Sequence, residues 1–167
     1  MPRRGQPRTA TRLDFGQSAA ILRPLPSTRL LADAARFHGH LGPWLVLGLK
    51  AGRHARRKLR TTPFTLTARV FCPSRTPYTC FIDGIQFGCG CTVGKGNLNH
   101  ARSPRCRVEF IRTAPARARL VLNLRPEVWN ELHESKSGKG RAVAALGRAI
   151  HRRPVSSLFL IDSAPGR

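Results

Sequence analysis

The sequence predicts an α+β fold, a single domain in which a mostly antiparallel sheet is packed with helices. Three observations carry this: helical spacing of apolar residues in two early segments, alternating β-branched and aromatic runs after residue 64, and an element order that sets strands in mid-chain between helices. At 167 residues the chain is long enough to bury one core without disulfide staples. No apolar stretch approaches the roughly 18 uncharged residues of a membrane-spanning helix, so no membrane contact is expected.

Taken in order, residues 1–26 carry Pro2, Pro7, Pro24 and Pro26 with little periodic hydrophobicity and predict a disordered basic arm. That arm has no apolar h-region, so no secretory signal is expected. The domain is expected over 27–162, with a short tail at 163–167. Ser27 or Thr28 caps a helix whose apolar residues Leu30, Leu31, Ala34, Ala35 and Phe37 follow helical spacing to Gly39. Pro43 suits the first turn of a second helix running to about Leu59, and Gly48 and Gly52, four apart, permit close packing. Thr65–Phe71 alternates as a strand ending at Cys72-Pro73, and a turn through 74–77 follows. A helix over Thr79–Phe87 stops at Gly88 and Gly90, ahead of a loop through Asn99. Strands are expected near Arg107–Arg112 and Arg117–Leu124, helices from Pro126 to His133 and Arg141 to His151, and a last strand at Ser157–Ile161.

Composition bounds the partners. Thirty Lys and Arg against eight Asp and Glu leave a formal charge of +22, a field that attracts phosphate backbones and other polyanions. The basic residues are scattered rather than blocked, so charge permits nonspecific nucleic-acid binding without specifying it. Five cysteines in a chain with no export signal point to reduced thiols and a cytoplasmic protein.

Chemistry concentrates in two segments, FHGHLGP at 37–43 and CFIDGIQFGCGCTVGKGNL at 80–98. In a turning backbone His38 and His40, two apart, share a face, and Gly39 eases the turn. The coming helix start at Pro43 keeps the His40 lone pair available to a metal or a proton. With Thr79 as N-cap, Cys80 falls in a first helical turn where partial positive charge favours thiolate, and Asp83 follows on its face. Cys89-Gly90-Cys91 is too tight for a zinc knuckle, which leaves an open site of histidine and Cys80 or Cys91 plus water. Gly94-Lys95-Gly96-Asn97 fails the P-loop pattern, since Cys89 and Gly96 stand where glycine and Ser/Thr are required, but it can still present N–H groups and an ammonium to an anion. Cys72 and Cys106 read as buried core thiols. Capping histidines, a dipole-serving aspartate and a solvated turn are the competing structural readings.

These residues resemble the FmdE-like family, named for a component of formylmethanofuran dehydrogenase. The likeness rests on FHGHLGP, then C-x-x-D-G-I-Q, then G-C-T-x-G-K-G-N-L, and covers roughly residues 28–125. It implies an α+β core and carries His38, His40, Cys80, Asp83, Gln86, Cys91, Lys95 and Asn97 over by position. Many members have cysteine in the H-G-H-x-C-P turn where this chain has Gly42, and the cysteine-rich C-terminal extension of some members is absent. Catalysis by the dehydrogenase needs a pterin metal centre and iron–sulfur clusters, and neither molybdopterin nor such a cluster is expected here. What the resemblance implies is an accessory or stand-alone protein linked to methanofuran-dependent one-carbon metabolism. A divalent metal, zinc first, is expected on His38, His40, Cys80 and Cys91. Cys80, Asp83 and Lys95 are the expected catalytic groups, and Gln86, Gly94, Gly96 and Asn97 the ligand-binding ones. A homodimer and a one-carbon enzyme complex are the partners it allows. The alternatives are a metal-independent thiol enzyme using Cys80 with His38 or His40, and a charge-driven nucleic-acid-binding module.

Overall fold

The computed structural model describes residues 27–135 and 140–165. The expected arm at 1–26 and the Ser/Gly/Lys loop at 136–139 lie outside the described residues. Helix α1 (Ser27–His38) ends at a bend whose Gly39 takes φ +94°, a left-handed conformation that glycine accepts without strain. Pro43 then opens α2 (Pro43–Leu59), its fixed φ suiting the first turn and its missing N–H costing no helical bond. Strand β1 (Leu66–Cys72) leads to α3 (Cys80–Cys89), which Gly90 closes at φ +75°. Beyond it come β2 (Leu98–Arg102), β3 (Arg107–Arg112), β4 (Ala118–Leu124), α4 (Pro126–Glu134), α5 (Arg141–Arg152), the single turn α6 (Val155–Leu158) and β5 (Phe159–Pro165).

The sheet runs β2-β1-β3-β4-β5, antiparallel except for β1 with β2. It is therefore the α+β, mostly antiparallel architecture that the residue pattern predicts. Its period-2 alternation sends Leu66, Ala68, Val70, Val108, Phe110, Leu120 and Leu122 into the core, where each is at most 2% exposed. The opposite face carries Arg69 and Arg107 over the Phe71 ring, and Arg119 paired with Glu109.

Two corrections concern elements. Leu98–Arg102 is a strand rather than loop, paired parallel to β1 from Ala68 opposite Leu98. Its residues lack β-branched character and only Leu98 is buried, so neighbouring β1 rather than local propensity makes it a strand. The last strand begins at Phe159 and runs to Pro165, because Val155–Leu158 forms a helical turn first.

What positions the site is the contact between α2 and α3. A Cβ built on Gly48 would fall 2.1 Å from the Phe81 carbonyl oxygen, and one on Gly84 2.1 Å from that of Leu45. Gly52 and Gly88 repeat the pattern one turn on, against the Cys89 nitrogen at 2.8 Å and the Leu49 oxygen at 2.5 Å. Backbone lies on backbone, with both chains running the same way. The helices' N-terminal ends, one preceded by the histidine turn and the other opened by Cys80, are thereby set side by side.

Candidate metal and ligand site

The His38 ring, with its side chain 10% exposed, donates from Nδ1 to Asp83 Oδ2 at 2.8 Å. Because a carboxylate accepts that bond, the neutral ring keeps its lone pair on Nε2. That Nε2 atom is buried and has no hydrogen-bond partner. An orphaned acceptor of this kind, on an imidazole oriented by a carboxylate, is the arrangement in which histidine ligates a metal. The His40 ring lies 4.6 Å from that of His38, centroid to centroid.

His40 and Cys80 both line a cavity of about 530 Å³ walled by Trp44, Leu132, Val143 and Leu146. Thus α2, α3, α4 and α5 each contribute to it. A Cβ built on buried Gly42 would stand 3.1 Å from His40 Nε2 and 3.5 Å from Val143 Cγ1, so the missing turn cysteine leaves its space beside the imidazole. Burial, and secondarily the Asp83 charge, push the Cys80 thiol up. That reverses the thiolate expected of a first-turn cysteine. Thr79 has helical backbone and makes no side-chain cap, so the anticipated N-cap hydrogen bond is not formed.

The other expected site residues fall elsewhere. Cys91 lies past the C-terminal end of α3, whose nine steps from Cys80 to Cys89 span about 13 Å at 1.5 Å per residue. Its sulfur donates to the Leu66 carbonyl at 3.3 Å, and its N–H is accepted by the Cys89 sulfur at 3.3 Å. A thiol–thiol hydrogen bond lowers the Cys89 thiol and pushes Cys91 up. Lys95 donates to the Gly90 carbonyl at this same far end and lies 5.4 Å over the Phe64 ring. Asn97 accepts from the Thr92 N–H at 2.9 Å and donates to the Pro63 and Leu66 carbonyls at 2.8 and 3.1 Å, stapling the loop to β1. Gly94 and Gly96 are exposed with open space about them, Gly96 at φ +67°. Gln86 joins the two ends: its amide donates to Asp83 Oδ1 at 3.4 Å and its carbonyl accepts from the Val93 N–H at 3.2 Å. Among the described residues no three His, Cys, Asp or Glu side chains converge as a ready metal site.

A second thiol cluster is legible only once strands are paired. The register that sets Phe71 opposite Arg107 brings Cys72 and Cys106 opposite at the next step. His100 Nε2 lies 3.4 Å from the Cys72 sulfur, and Cys106 is the main cause of a Cys72 thiol lowered to about 7.

Comparison with known proteins fits this geometry. The chain resembles the crystal structure of an FmdE-like protein of the tungsten formylmethanofuran dehydrogenase type from Syntrophus aciditrophicus, with a TM-score of 0.55 at 16% identity. That match covers 84% of this chain and 73% of the other, and it shows the fold. A protein of Archaeoglobus fulgidus named "Probable S-adenosyl-L-methionine-binding protein" is 35% identical over 78 residues, 42% of this chain. The match spans only 20% of that relative's length. The family model described as "FmdE, Molybdenum formylmethanofuran dehydrogenase operon" matches residues 37–159, from the histidine turn to the start of β5. With most of the chain, both motif segments and the fold in agreement, this protein belongs to the FmdE family.

Proposed function

We propose that this chain is a metal-binding accessory protein of one-carbon metabolism. Its metal is a divalent ion, zinc first, held by His38 Nε2 and His40 with Cys80 on the wall of the same cavity. The observation that carries the reading is the buried, unpartnered Nε2 of an imidazole whose other nitrogen is held by Asp83. An ion there supplies Lewis-acid polarisation at an open coordination position. The protein's own part is to fix the His38 tautomer through Asp83, to keep that carboxylate in place through Gln86, and to keep Cys80 protonated until a cation displaces its proton. Cys91 and Lys95, tied to carbonyls at the far end of α3, are left out of the ligand set. The family's association with the formylmethanofuran dehydrogenase operon supports the one-carbon setting, with a complex of such enzymes as partner and methanofuran chemistry as context.

Elemental analysis of the purified full chain tests this. One zinc per chain is expected, with less than a tenth of that in His38→Ala. Zinc added to metal-free protein at 100 times its Kd should stabilise folding by about 2.7 kcal/mol. Metal-free protein whose melting ignores both chelator and added zinc would overturn the reading.

A further inference from the structure

A second cavity, of about 690 Å³, lies beyond Trp44 between the 73–78 segment, the end of β2 and α4. Its wall is aromatic. Tyr78 and Trp129 stack at 5.3 Å and 16°, and Tyr78 and His133 at 5.4 Å and 21°. Hydrogen bonds lock these rings: His133 Nδ1 donates to the Trp129 carbonyl at 2.9 Å, which leaves Nε2 to accept the Tyr78 hydroxyl at 2.7 Å. Buried Trp44 backs the wall edge-on, 5.0 Å from Tyr78 and 5.6 Å from Trp129. Rings held this firmly while lining open space cost little further entropy when a flat ligand arrives.

The rim is cationic. Arg75 lies 5.7 Å over the Tyr78 ring and Arg105 5.4 Å over Trp129, while Arg102 lines the cavity from β2. None of the three has a carboxylate partner among the described residues, and no acidic side chain lines the cleft. A guanidinium over an aromatic face can stack on a second planar group while its edge N–H groups bind a phosphate. We propose that this cleft binds a nucleotide, its base stacked on the Tyr78–Trp129 wall and its phosphate held by Arg75, Arg102 and Arg105. A single base with its phosphate suits a cavity of this volume, and the chemistry is shared by a free nucleotide and by one residue of a single strand.

The chain has two tryptophans, one in the wall and one behind it, so stacking should quench intrinsic fluorescence. The full chain is titrated at 0.15 M salt with adenosine monophosphate, adenosine, ribose 5-phosphate and a five-residue single-stranded adenylate. The monophosphate is expected to bind at least tenfold more tightly than adenosine or ribose 5-phosphate. Arg75→Ala with Arg105→Ala should weaken it tenfold or more. Arg57→Ala with Lys58→Ala, removing equal charge about 20 Å along α2 from Trp44, should change it less than twofold. A strand that binds tenfold more tightly than the mononucleotide, with the same dependence on Arg75 and Arg105, identifies the source as a strand; equal binding identifies the free nucleotide. The proposal falls if base and phosphate are not both required, or if the remote double variant loses as much as the cleft variant.

Discussion

At the scale of single residues, chemistry follows from which neighbour each polar atom meets. The Cys80 thiol illustrates this: buried and beside Asp83, it stays protonated where an exposed first-turn cysteine would ionise. Iodoacetamide should therefore modify Cys80 slowly at pH 7, with the rate rising as pH passes the ordinary thiol value of 9.0. Asp83→Asn removes the secondary cause, so its profile should shift to lower pH; mass spectrometry of the Cys80 peptide reads both. Rapid labelling at neutral pH would instead revive a thiolate nucleophile. Gly42→Cys returns a sulfur beside His40, and zinc titration should show affinity raised at least tenfold. The sequence made His38, Asp83 and Cys80 legible because glycine-flanked histidines and a Cys-x-x-Asp helix turn leave few other uses. It did not reveal that Cys91 and Lys95 leave the site, because eleven to fifteen residues of separation look short in a motif yet span a whole helix. Cys72, His100 and Cys106 were opaque for the converse reason: only strand pairing makes them neighbours.

Among elements, glycine contacts do the positioning. Adding a methyl group at Gly84 would drive a Cβ onto the Leu45 carbonyl, backbone that cannot turn aside. Gly84→Ala should destabilise the fold by about 3 kcal/mol or more, measured by urea unfolding, whereas Gly94→Ala, with nothing within 4 Å, should change it by less than about 0.5 kcal/mol. A small Gly84→Ala effect would mean that α2 and α3 separate easily. The four-residue spacing of Gly48 and Gly52 signals this packing in the sequence, and most element boundaries follow from proline at helix starts and glycine at their ends. Strand β2 and the turn α6 do not, since polar Asn99, His100 and Arg102 say nothing locally of the parallel partner that orders them.

For the molecule as a whole, charge outweighs most surface detail. Thirty cations against eight anions repel one another in the compact state, and the described residues show few ion pairs to offset this. Raising salt from 0.05 to 0.5 M, which shortens the Debye length below about 5 Å, should raise Tm by several degrees in calorimetry. A falling Tm would show that pairing outweighs repulsion. The two helices in backbone contact form a fixed jaw for the smaller cavity, and one end of that jaw carries both imidazoles. Leu132 of α4 and Val143 and Leu146 of α5 form the opposing jaw, seated through side chains alone. Evolution or engineering can therefore resize the guest by trimming aliphatic groups on one side, while the atoms that would grip it keep their spacing.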